Sequence, residues 1–388
     1  MKDIVFVLNI GCYPVPAIKG GAVESLLTAL IDENEKQKKF NFHVIMCKDK
    51  NDITQYDYSS YQNTKFYDYY QGGLKFKIGR IVNGVNKRLN YALPLYSAYE
   101  KFIIKTIDKI NPDFMVFEGS FNATLRKLSK KYDKDKLILH VHHQILPKYK
   151  IDKYFGRMWC VSEFIKNDWI ASKKLSPDFK YQVLNNVLTS YSFYNEISKE
   201  EIKDLREKLG FADDDFVVIY CGRLVEVKGI DILVKAIKEI DNEHIKLMVV
   251  GESGFKDSKP QPFIQTLKDI VCNDDKIVFT GYVENKDLYK YYSIADLQVI
   301  PSVWEEAAGI VALEGKVRGL PQIITNSGGL PEYARKDAVV LDKEDNLQQN
   351  LVKEISNFYN RKYDFDKTKA FAPSVKEYYE QFIKIIEE

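Results

Sequence analysis

The chain has 388 residues, which is more than a single hydrophobic core usually organises, so two domains are the first expectation. Its 57 lysines and arginines nearly balance 55 acidic residues, and the formal net charge of +2 lacks the broad basic excess of a nucleic-acid-binding protein. The partner is therefore expected to be a small molecule or a locally recognised surface.

The cysteines and the apolar runs indicate the compartment. Five cysteines are scattered without a CxxC pair, and their odd number fits a reducing compartment better than a disulfide framework. The apolar run 4–10 is too short for the core of a signal peptide, and no stretch approaches the roughly 20 apolar residues of a membrane span. These features predict a cytoplasmic protein, and they are compatible with contact to the inner face of a membrane.

Short runs rich in valine and isoleucine alternate with longer amphipathic stretches along the chain. This alternation is typical of parallel sheets covered by helices, so the predicted fold class is α/β. Strands are predicted in the first half at 4–8, 43–47, 114–117, 137–141, 158–161 and 182–184. Those of the second half are predicted at 217–221, 246–250, 277–280, 297–300 and 322–325.

Serine, tyrosine and asparagine accumulate between Asn186 and Lys199, before a charged helix predicted to begin near Ser198. A boundary here gives one Rossmann-like domain over 1–190 and another over 191–372. Open α/β sheets bind ligands at the carboxyl ends of their strands, so two such sheets facing each other would place an active site in the cleft between them. The last amphipathic segment, from Pro373 to Ile386, is predicted to be a helix.

The segment 301–333 reads PSVWEEAAGIVALEGKVRGLPQIITNSGGLPEY and carries Glu306 and Glu314 eight positions apart. Its apolar periodicity from Gly309 to Val317 predicts a short helix that opens after two alanines. Backbone N–H groups at such a helix start bind anions, and phosphate is the natural ligand. Glu314 follows about two helical turns later, where a carboxylate can accept hydrogen bonds from a diol such as a ribose.

This segment resembles the donor site of the family 4 glycosyltransferases, which are retaining enzymes with the GT-B fold of two Rossmann-like domains. The family signature is a glutamate, seven residues and a second glutamate. The resemblance implies that Glu306 contacts the transferred sugar and that Glu314 binds the ribose. The donor phosphates would then be bound by the amides of Ala308, Gly309 and Ile310.

Two positions depart from the family pattern. Ala308 stands where the family usually has phenylalanine, and Lys316 stands where it has a small residue. Both departures bear on sugar specificity more than on the reaction class. The resemblance also implies that the C-terminal helix, 373–388, packs back on the first domain.

Gly222 follows the strand predicted at 217–221, and Arg223 and Lys228 lie between it and a helix predicted to begin near Ile230. A lysine before a helix start is electrostatically unfavourable unless an anion is near, and a solvated loop cation is the alternative interpretation. The Gly-Arg and Lys-Gly spacing matches the diphosphate-binding pair of the family. The resemblance therefore implies that both cations stabilise the leaving nucleoside diphosphate.

No metal is expected, because two fixed cations can do the electrostatic work of an ion at the diphosphate. The acidic residues 213–215, and Asp364 with Asp366, are interpreted as solvated loop charges.

Gly20 and Gly21 precede a helix predicted to begin about Ala22, after the first strand. Paired glycines let a backbone approach a phosphate or an acceptor closely, although the same pair is common in ordinary turns. The family uses this loop in the cleft, which implies donor binding by both glycines.

Three histidines, His140, His142 and His143, follow the residues 137–139. They would suggest a zinc site, but no further cysteine or histidine partner is near in sequence. His142 aligns with the single cleft histidine of the family, so the resemblance implies that it contacts the sugar. The other two are interpreted as structural.

The region 65–105 carries eight lysines and arginines against two acidic residues, interleaved with aromatic and aliphatic residues. Such a composition suits a surface near anionic lipid, and a helical pair with a solvated basic face explains it equally well. Since the first domain binds the acceptor in this fold, a lipid-linked acceptor is one hypothesis.

The predicted function is a retaining glycosyltransferase that moves a sugar from a nucleotide-diphosphate sugar, a UDP-sugar first of all, to a hydroxyl of a glycan or lipid-linked glycan. The lysine- and tyrosine-rich composition associates it with bacterial capsular or exopolysaccharide synthesis. One alternative is a UDP-sugar 2-epimerase on the same fold, which would need carboxylate acid/base groups in the first domain, and none is evident there. The other is a catalytically inactive, glycosyltransferase-like partner subunit.

Overall fold

The computed structural model describes residues 1–18, 20–50, 56–88, 95–119, 122–144, 151–252, 262–272, 274–361 and 372–388. Asp364 and Asp366 lie outside these ranges, as do the side chains of 74–76, 80, 83 and 87. The chain divides into two compact units. Unit 1 comprises Met1–Thr189 and Ser374–Glu388, and unit 2 comprises Ser190–Pro373.

The strands in the described residues fall into two groups. Those of unit 1 are β1 (Lys2–Val7), β2 (Phe40–Asp49), β3 (Thr64–Gln71), β4 (Phe114–Glu118), β5 (Leu137–Val141), β6 (Arg157–Cys160) and β7 (Lys180–Val183). Those of unit 2 are β8 (Phe216–Cys221), β9 (Ile245–Val250), β10 (Ile277–Gly281), β11 (Leu297–Ile300), β12 (Gln322–Thr325) and β13 (Val339–Leu341).

The helices alternate with these strands. The first seven are α1 (Ala22–Gln37), α2 (Gly73–Arg88), α3 (Ala98–Ile110), α4 (Leu125–Lys131), α5 (Glu163–Ala171), α6 (Lys199–Lys208) and α7 (Ile230–Glu239). The others are α8 (Pro262–Val271), α9 (Leu288–Ser293), α10 (Ile310–Val317), α11 (Leu330–Tyr333), α12 (Leu347–Tyr359) and α13 (Val375–Glu387). Among the described helices, none combines the length and the apolar character needed to cross a membrane.

Each unit contains one parallel sheet with the strand order of a Rossmann-like fold. The order is β3-β2-β1-β4-β5-β6-β7 in unit 1 and β10-β9-β8-β11-β12-β13 in unit 2. In both sheets the order reverses beside the first strand of the unit, and ligands of open α/β sheets bind outside the carboxyl ends of the strands at that point. The predicted α/β class with two Rossmann-like domains is confirmed.

The central strands are apolar because both faces of each sheet are covered by helices. In unit 1, Ile4, Phe6, Val44, Val116 and Ile138 are buried to within one per cent of complete. In unit 2, the corresponding core of strands β8, β9 and β11 packs against α7, α8 and α12.

Helix α13 is part of unit 1 although it ends the chain. Ser374 caps its first turn in a capping box with Glu377, which satisfies two backbone amides. Phe382 packs within 6.2 Å, between ring centroids, of Phe6, Phe40, Phe42 and Trp159. The Tyr379 hydroxyl donates to Asn34 Oδ1 on α1 at 2.6 Å.

Every strand predicted from the sequence is present, with ends that differ by at most three residues, but two strands among the described residues were missed. β3 lies at one edge of its sheet, and its aromatic, acidic and basic residues hide the apolar pattern of a buried strand. β13 is an edge strand of three residues. The basic region 65–105 is therefore not simply a helical pair, because its first part forms β3.

Candidate functional site

In unit 2, the loops that follow β8 and β9 approach each other through glycines. Gly251 has φ of 132°, and a Cβ placed on it would lie 2.1 Å from the carbonyl oxygen of Gly222. The Gly222 amide donates to the Val250 carbonyl at 3.0 Å, which continues the ladder one step beyond the strands. These close contacts fix the start of the loop that carries Arg223 and Lys228.

Lys228 and Glu306, which are 78 residues apart, meet at the carboxyl edge of the unit 2 sheet. Gly229 (φ 68°) turns the chain from Lys228 into α7, and a Cβ there would lie 2.0 Å from the Pro301 carbonyl oxygen. This close approach places Lys228 Nζ 2.5 Å from Glu306 Oε1. The same oxygen accepts from the Ser302 hydroxyl at 2.7 Å.

Ser302 was not anticipated from the sequence, and the reason is that its environment is tertiary. It is completely buried, and its carbonyl accepts from the hydroxyl of Thr325 at 2.6 Å and from that of Ser327. The ends of β11 and β12 therefore hold Ser302, and Ser302 holds Glu306. The serine beside Pro301 in the motif was the available signal.

Helix α10 begins at Ile310, one residue after the predicted start, with Gly309 as its N-cap. The amides of Ala308, Gly309 and Ile310 donate no hydrogen bond to any residue in the described ranges. Leu330 and Tyr333 pack closely against Gly309. A Cβ placed on Gly309 would lie 2.7 Å from Leu330 Cδ1 and 3.2 Å from Tyr333 Cβ. Three free amides at a helix start are suited to bind an anion.

Glu314 lies on α10 and is held from a direction that the sequence did not reveal. The hydroxyl of the buried Tyr292, on α9, donates to Glu314 Oε2 at 2.6 Å. Desolvation raises the pKa of Glu314 to about 7, and the bond from Tyr292 offsets only part of this effect. The group is therefore partly protonated near neutral pH, and a ligand that donates hydrogen bonds would favour its ionised form.

Arg223 and Lys316 complete the predicted residues of unit 2. The Arg223 side chain is exposed and has no ion pair in the part of the chain that the structure describes, while its carbonyl accepts from the Tyr220 hydroxyl at 3.0 Å. Lys316 Nζ donates to the Ala334 carbonyl at 3.3 Å, so this departure from the family pattern ties α10 to the end of α11. The structure thus brings Lys228 to Glu306 and leaves the Arg223 guanidinium in solvent.

In unit 1, His142 lies in a cluster with Glu118 and His140 at the carboxyl edge of the sheet. β4 and β5 are paired with Glu118 opposite His140, and His142 follows the last residue of β5. Glu118 Oε2 is 3.0 Å from His140 Nδ1 and 2.6 Å from His142 Nε2. Each of the three side chains is at most 7% exposed.

This cluster adds a partner that the sequence did not reveal. The zinc interpretation was set aside because no cysteine or histidine partner is near in sequence, and the fold adds Glu118, so that the three groups offer ligand atoms within 4.8 Å of one another. No carboxylate of the first domain was recognised as a possible acid or base, and the structure places Glu118 and Glu24 in buried positions there. A carboxylate at the end of the strand before the histidine strand was the missed signal.

The charges of the cluster follow from its contacts. Burial alone would raise the pKa of Glu118, but His140 and His142 outweigh it and lower the pKa to about 2. Burial, together with His140, lowers the pKa of His142 despite the carboxylate. At neutral pH the centre therefore contains an ionised Glu118 and a neutral His142.

Gly20 and Gly21 have φ of 84° and 99°, conformations that glycine adopts without strain, and Gly21 is the N-cap of α1. The space beside Gly21 is occupied by Glu24, whose carboxylate also accepts from the Tyr13 amide at 2.8 Å. A carboxylate accepts hydrogen bonds from hydroxyls and repels phosphate. This loop is therefore better suited to a hydroxylated ligand than to the diphosphate.

Comparison with known proteins adds to this geometry. Residues 201–377 match the family model of the group 1 glycosyl transferases, and this range contains Arg223, Lys228, Glu306 and Glu314. The chain is similar to spore coat protein SA of Bacillus subtilis, with 25% identity over 87% of this chain and 85% of that protein. These matches support a glycosyltransferase of GT-B type.

Two further relatives are similar over shorter ranges. A lipopolysaccharide 1,2-N-acetylglucosaminetransferase of Salmonella typhimurium is 26% identical over 61% of each chain. An uncharacterised glycosyltransferase of Methanocaldococcus jannaschii is 33% identical over 46% of this chain. The alignment spans only 44% of the Methanocaldococcus protein.

Solved structures with the GT-B fold match the whole chain. Anabaena HepE in complex with UDP has a TM-score of 0.70 at 16% identity and covers 100% of both chains. WaaG, a glycosyltransferase involved in lipopolysaccharide biosynthesis, has a TM-score of 0.60 at 14% identity, with 99% of this chain and 95% of that chain covered. At these identities the likeness establishes the fold.

Proposed function

We propose that this protein is a retaining glycosyltransferase that transfers a sugar from a UDP-sugar to a hydroxyl of a glycan or lipid-linked glycan. The observation that carries the proposal is the convergence in unit 2 of Lys228, Glu306 and three free amides at the start of α10. An ammonium and amides suit a diphosphate, and a carboxylate beside them suits a sugar hydroxyl. The match of residues 201–377 to the glycosyl transferase family supports the same assignment.

In the proposed reaction, the amides of Ala308, Gly309 and Ile310 bind the diphosphate, and Lys228 with Arg223 stabilises the charge that develops on it. Glu306 orients the transferred sugar, and Glu314 accepts from the ribose hydroxyls. His142, in unit 1, binds a hydroxyl of the sugar. The leaving phosphate helps to deprotonate the acceptor on the same face, so no protein nucleophile and no metal ion enters the scheme.

The biological setting is part of the proposal. We place the enzyme in the cytoplasm, in the synthesis of a capsular or other bacterial polysaccharide. The supporting observation is the range of relatives, which includes a spore coat protein and a lipopolysaccharide sugar transferase.

The first experiment measures nucleotide binding by thermal shift with UDP, GDP, dTDP and ADP and then with their sugars. UDP is expected to raise the melting temperature by several degrees in the wild type and not in Lys228→Met. Lys203→Met is the matched control, because Lys203 is 61% exposed on α6 and, among the described residues, forms an ion pair with Glu207 alone, at 3.7 Å. Absence of a shift with all four nucleotides would overturn the proposal.

Turnover distinguishes the enzyme from an inactive subunit. The wild type is expected to release UDP slowly from a UDP-sugar by hydrolysis, and Glu306→Ala is expected to bind UDP but to release none from the sugar. NMR of the transfer product with a defined acceptor then tests retention, since the anomeric configuration of the donor must reappear in the product.

Glu118 gives the 2-epimerase alternative the carboxylate that it requires in unit 1. Its low pKa and its two histidine partners make it a weak base, which favours transfer over proton abstraction. Incubation with UDP-N-acetylglucosamine decides between them. Appearance of the 2-epimer without an acceptor would replace the transferase proposal.

Membrane contact through α2 is a separate part of the proposal. Ile78 and Ile81 are 51% and 66% exposed on this helix, beside the exposed Lys77 and Arg88. The side chains of Lys75, Arg80 and Lys87 lie outside the described residues. An amphipathic helix with basic residues beside exposed isoleucines suits an anionic bilayer surface.

The test is cosedimentation with phosphatidylglycerol-containing liposomes. Joint neutralisation of Lys75, Lys77, Arg80, Lys87 and Arg88 is expected to abolish binding, whereas neutralising Lys199, Lys203 and Lys208 on α6 is expected to preserve it. Unchanged binding in the α2 variant would remove membrane contact from the proposal and leave the donor site untouched.

A further inference from the structure

Glu118 presents a single oxygen to two histidines through different ring atoms. Oε2 is 3.0 Å from Nδ1 of His140 and 2.6 Å from Nε2 of His142, and the two rings are 4.0 Å apart between centroids. An ionised carboxylate has no proton to donate, so each facing nitrogen must carry a proton to form a hydrogen bond. In a neutral imidazole, the proton on one nitrogen leaves the other bare.

This geometry fixes which nitrogen of each ring carries the proton in the neutral form of that ring. Neutral His140 has its proton on Nδ1 and a bare Nε2, whereas neutral His142 has its proton on Nε2 and a bare Nδ1. Among the described residues, the buried polar atoms without a hydrogen-bond partner include these two bare nitrogens, His140 Nε2 and His142 Nδ1. An unsatisfied buried acceptor destabilises the protein, so a ligand that donates a hydrogen bond to one of these nitrogens is bound more tightly for that reason.

The two bare nitrogens differ in their surroundings. His140 belongs to β5 and its ring packs edge-on against Trp159, with the ring centroids 5.8 Å apart. Both histidines line a cavity of about 10 Å³ whose walls are mainly apolar. His142 follows β5 at the carboxyl edge of the sheet, where ligands of Rossmann-like folds bind. His142 Nδ1 is therefore the acceptor that a ligand can use.

A metal ion is a weaker interpretation of the same cluster. Metal-bound histidines almost always donate their second ring N–H to a carboxylate, a carbonyl or a water, and neither second nitrogen here has a protein partner. The separation of 2.6 Å between Glu118 Oε2 and His142 Nε2 is that of a charge-assisted hydrogen bond. The donor arrangement fits shared protons better than a coordinated cation.

We propose that Glu118 is a positioning residue that fixes His140 and His142 in opposite tautomers and thereby presents His142 Nδ1 as an acceptor for a ligand hydroxyl. The tautomer assignment is independent of the proposed function, whereas the identification of the hydroxyl as that of a sugar rests on it. Glu118 acts through His142 and does not itself touch the ligand. A carboxylate or phosphate group, which has no proton to donate at neutral pH, is rejected at this position.

The test is long-range ¹H–¹⁵N NMR of the full chain with ¹⁵N-labelled histidine. The chain has five histidines, so the spectrum contains few signals to resolve. Single histidine-to-glutamine variants assign the signals. The expected wild-type result is protonated Nδ1 in His140 and protonated Nε2 in His142 at pH 7. The same tautomer in both rings would overturn the proposal.

Glu118→Gln tests the cause, because a glutamine amide has only one acceptor oxygen and also donates. We expect one or both histidines to change tautomer or to populate both forms. Asp3→Asn is the matched control, since Asp3 Oδ1 accepts from His43 Nε2 at 3.0 Å in the same unit, away from this cluster. Asp3→Asn is expected to alter the His43 signals alone. If the tautomers of His140 and His142 are unchanged in Glu118→Gln, the positioning role of Glu118 is wrong.

If Glu118→Gln does not fold, the tautomers of the wild type still test the proposal. Glu118→Asp provides a second variant, because it keeps the carboxylate charge but has a side chain shorter by one methylene group. Titration with Zn²⁺ tests the metal interpretation. If Zn²⁺ binds stoichiometrically and displaces the protons on His140 Nδ1 and His142 Nε2, the cluster is a metal site and the proposal is wrong.

The ligand is tested with UDP and UDP-glucose as probes. The His142 Nδ1 resonance is expected to shift with UDP-glucose and not with UDP alone. If UDP binds and UDP-glucose leaves His142 unaffected, the hydroxyl-acceptor role is wrong while the donor site stands. If neither nucleotide binds, the proposed function fails, and the opposite tautomers of the free protein still test the role of Glu118.

Discussion

Glu118 in unit 1 and Glu314 in unit 2 are both desolvated carboxylates, but their ionisation differs widely. Two histidine N–H groups face Glu118 and lower its pKa to about 2, whereas a single tyrosine hydroxyl reaches Glu314, whose pKa rises to about 7. Burial acts in the same direction on both groups. The Coulombic attraction of His140, together with hydrogen bonds from both histidines, therefore makes Glu118 a fixed anion, whereas one hydroxyl leaves Glu314 close to its titration point.

Glu306 extends the comparison, because its partner is a full charge. Its Oε1 accepts from both the Lys228 ammonium and the Ser302 hydroxyl. Glu118 thus faces two imidazoles, Glu314 a phenol and Glu306 an ammonium. We therefore expect the three carboxylates to respond differently to mutation and pH.

The largest expected effect comes from Lys228→Met. In the proposed reaction, removal of this partly buried ammonium deprives the leaving diphosphate of a counter-charge. We therefore expect kcat to fall by about 10²–10³-fold, which is the loss typical of one electrostatic contact to the transition state. Steady-state kinetics with a UDP-sugar measures it, with Lys203→Met as control. A loss below about threefold would show that Lys228 is only a partner of Glu306.

Gly229→Ala tests whether the Lys228–Glu306 contact depends on the backbone. Its φ of 68° disfavours alanine, and the added Cβ would lie 2.0 Å from the Pro301 carbonyl oxygen, which belongs to the backbone and cannot rotate away. We expect the free energy of unfolding of unit 2 to fall by about 2–4 kcal/mol. Urea denaturation followed by circular dichroism measures this loss.

Gly319→Ala is the control for that experiment. Gly319 has a φ of 72°, and a Cβ there would meet no atom within 4 Å. Its cost is therefore the backbone strain alone, about 1 kcal/mol. Equal losses for the two variants would exclude a specific role for the contact with Pro301.

Glu118→Gln is expected to lower the free energy of unfolding of unit 1 by about 1–3 kcal/mol at pH 7, since it removes charge-assisted acceptance from two buried histidines. A carboxylate with a lowered pKa in the folded protein stabilises the fold at pH values above the pKa that it has in the unfolded chain. This contribution is lost as the pH falls to the pKa of the folded protein. The difference from wild type should therefore shrink between about pH 4.5 and about pH 2.

Tryptophan fluorescence follows this transition, because Trp159 and Trp169 are buried in unit 1 while Trp304 is 45% exposed in unit 2. Protonation of His142 below its ordinary pKa destabilises the fold as well, and it does so more strongly in the variant, because Glu118 opposes the lowering of the His142 pKa in the wild type. A difference that is constant with pH would contradict the assignment of Glu118 as the titrating group.

The smallest effect is expected for Glu314→Gln, and its sign is opposite. The folded protein holds the Glu314 proton up to about pH 7, so the wild type loses stability as pH rises from about 4.5 to 7. The glutamine variant should be more stable than wild type by about 1–2 kcal/mol at pH 8 and equal to it near pH 4.

Glu207→Gln, at an exposed position on α6, should show no such pH dependence. UDP binding is expected to weaken about tenfold in Glu314→Gln, and UDP affinity of the wild type should rise with pH through about 7. The free energy of unfolding of the wild type minus that of Glu314→Gln should be lower at pH 8 than at pH 5. If this difference is instead higher at pH 8, the pKa of Glu314 is not raised.

The predictable part of the site is the part that is local in sequence. Glu306, the free amides and Glu314 lie within nine consecutive residues, and helical periodicity alone places Gly309 at a helix start. Gly222, Arg223 and Lys228 lie in one strand-to-helix loop. Glu118 was missed because nothing in the residues around it indicates that β5 will lie beside β4 with His140 opposite.

The same reasoning explains the fold. Buried parallel strands such as β8 and β9 are rich in valine, isoleucine and other apolar residues, which the sequence shows directly, and the capping serines of α6 and α13 mark their starts. The edge strands β7 and β10 were predicted from such runs, whereas the edge strands β3 and β13 were missed. β3 mixes aromatic with charged and polar residues and β13 has only three residues, so neither shows a clear apolar run.

By itself, the sequence determined the α/β architecture, the two Rossmann-like units and the start of helix α10, because these depend on apolar periodicity and on groups adjacent in the chain. The tertiary structure alone decided the partners of the three carboxylates. Ser302, Tyr292, His140 and His142 are brought to them by strand order and helix packing, and these neighbours set which carboxylate is charged. Ionisation is a property of the surroundings of a group, and those surroundings exist only after folding.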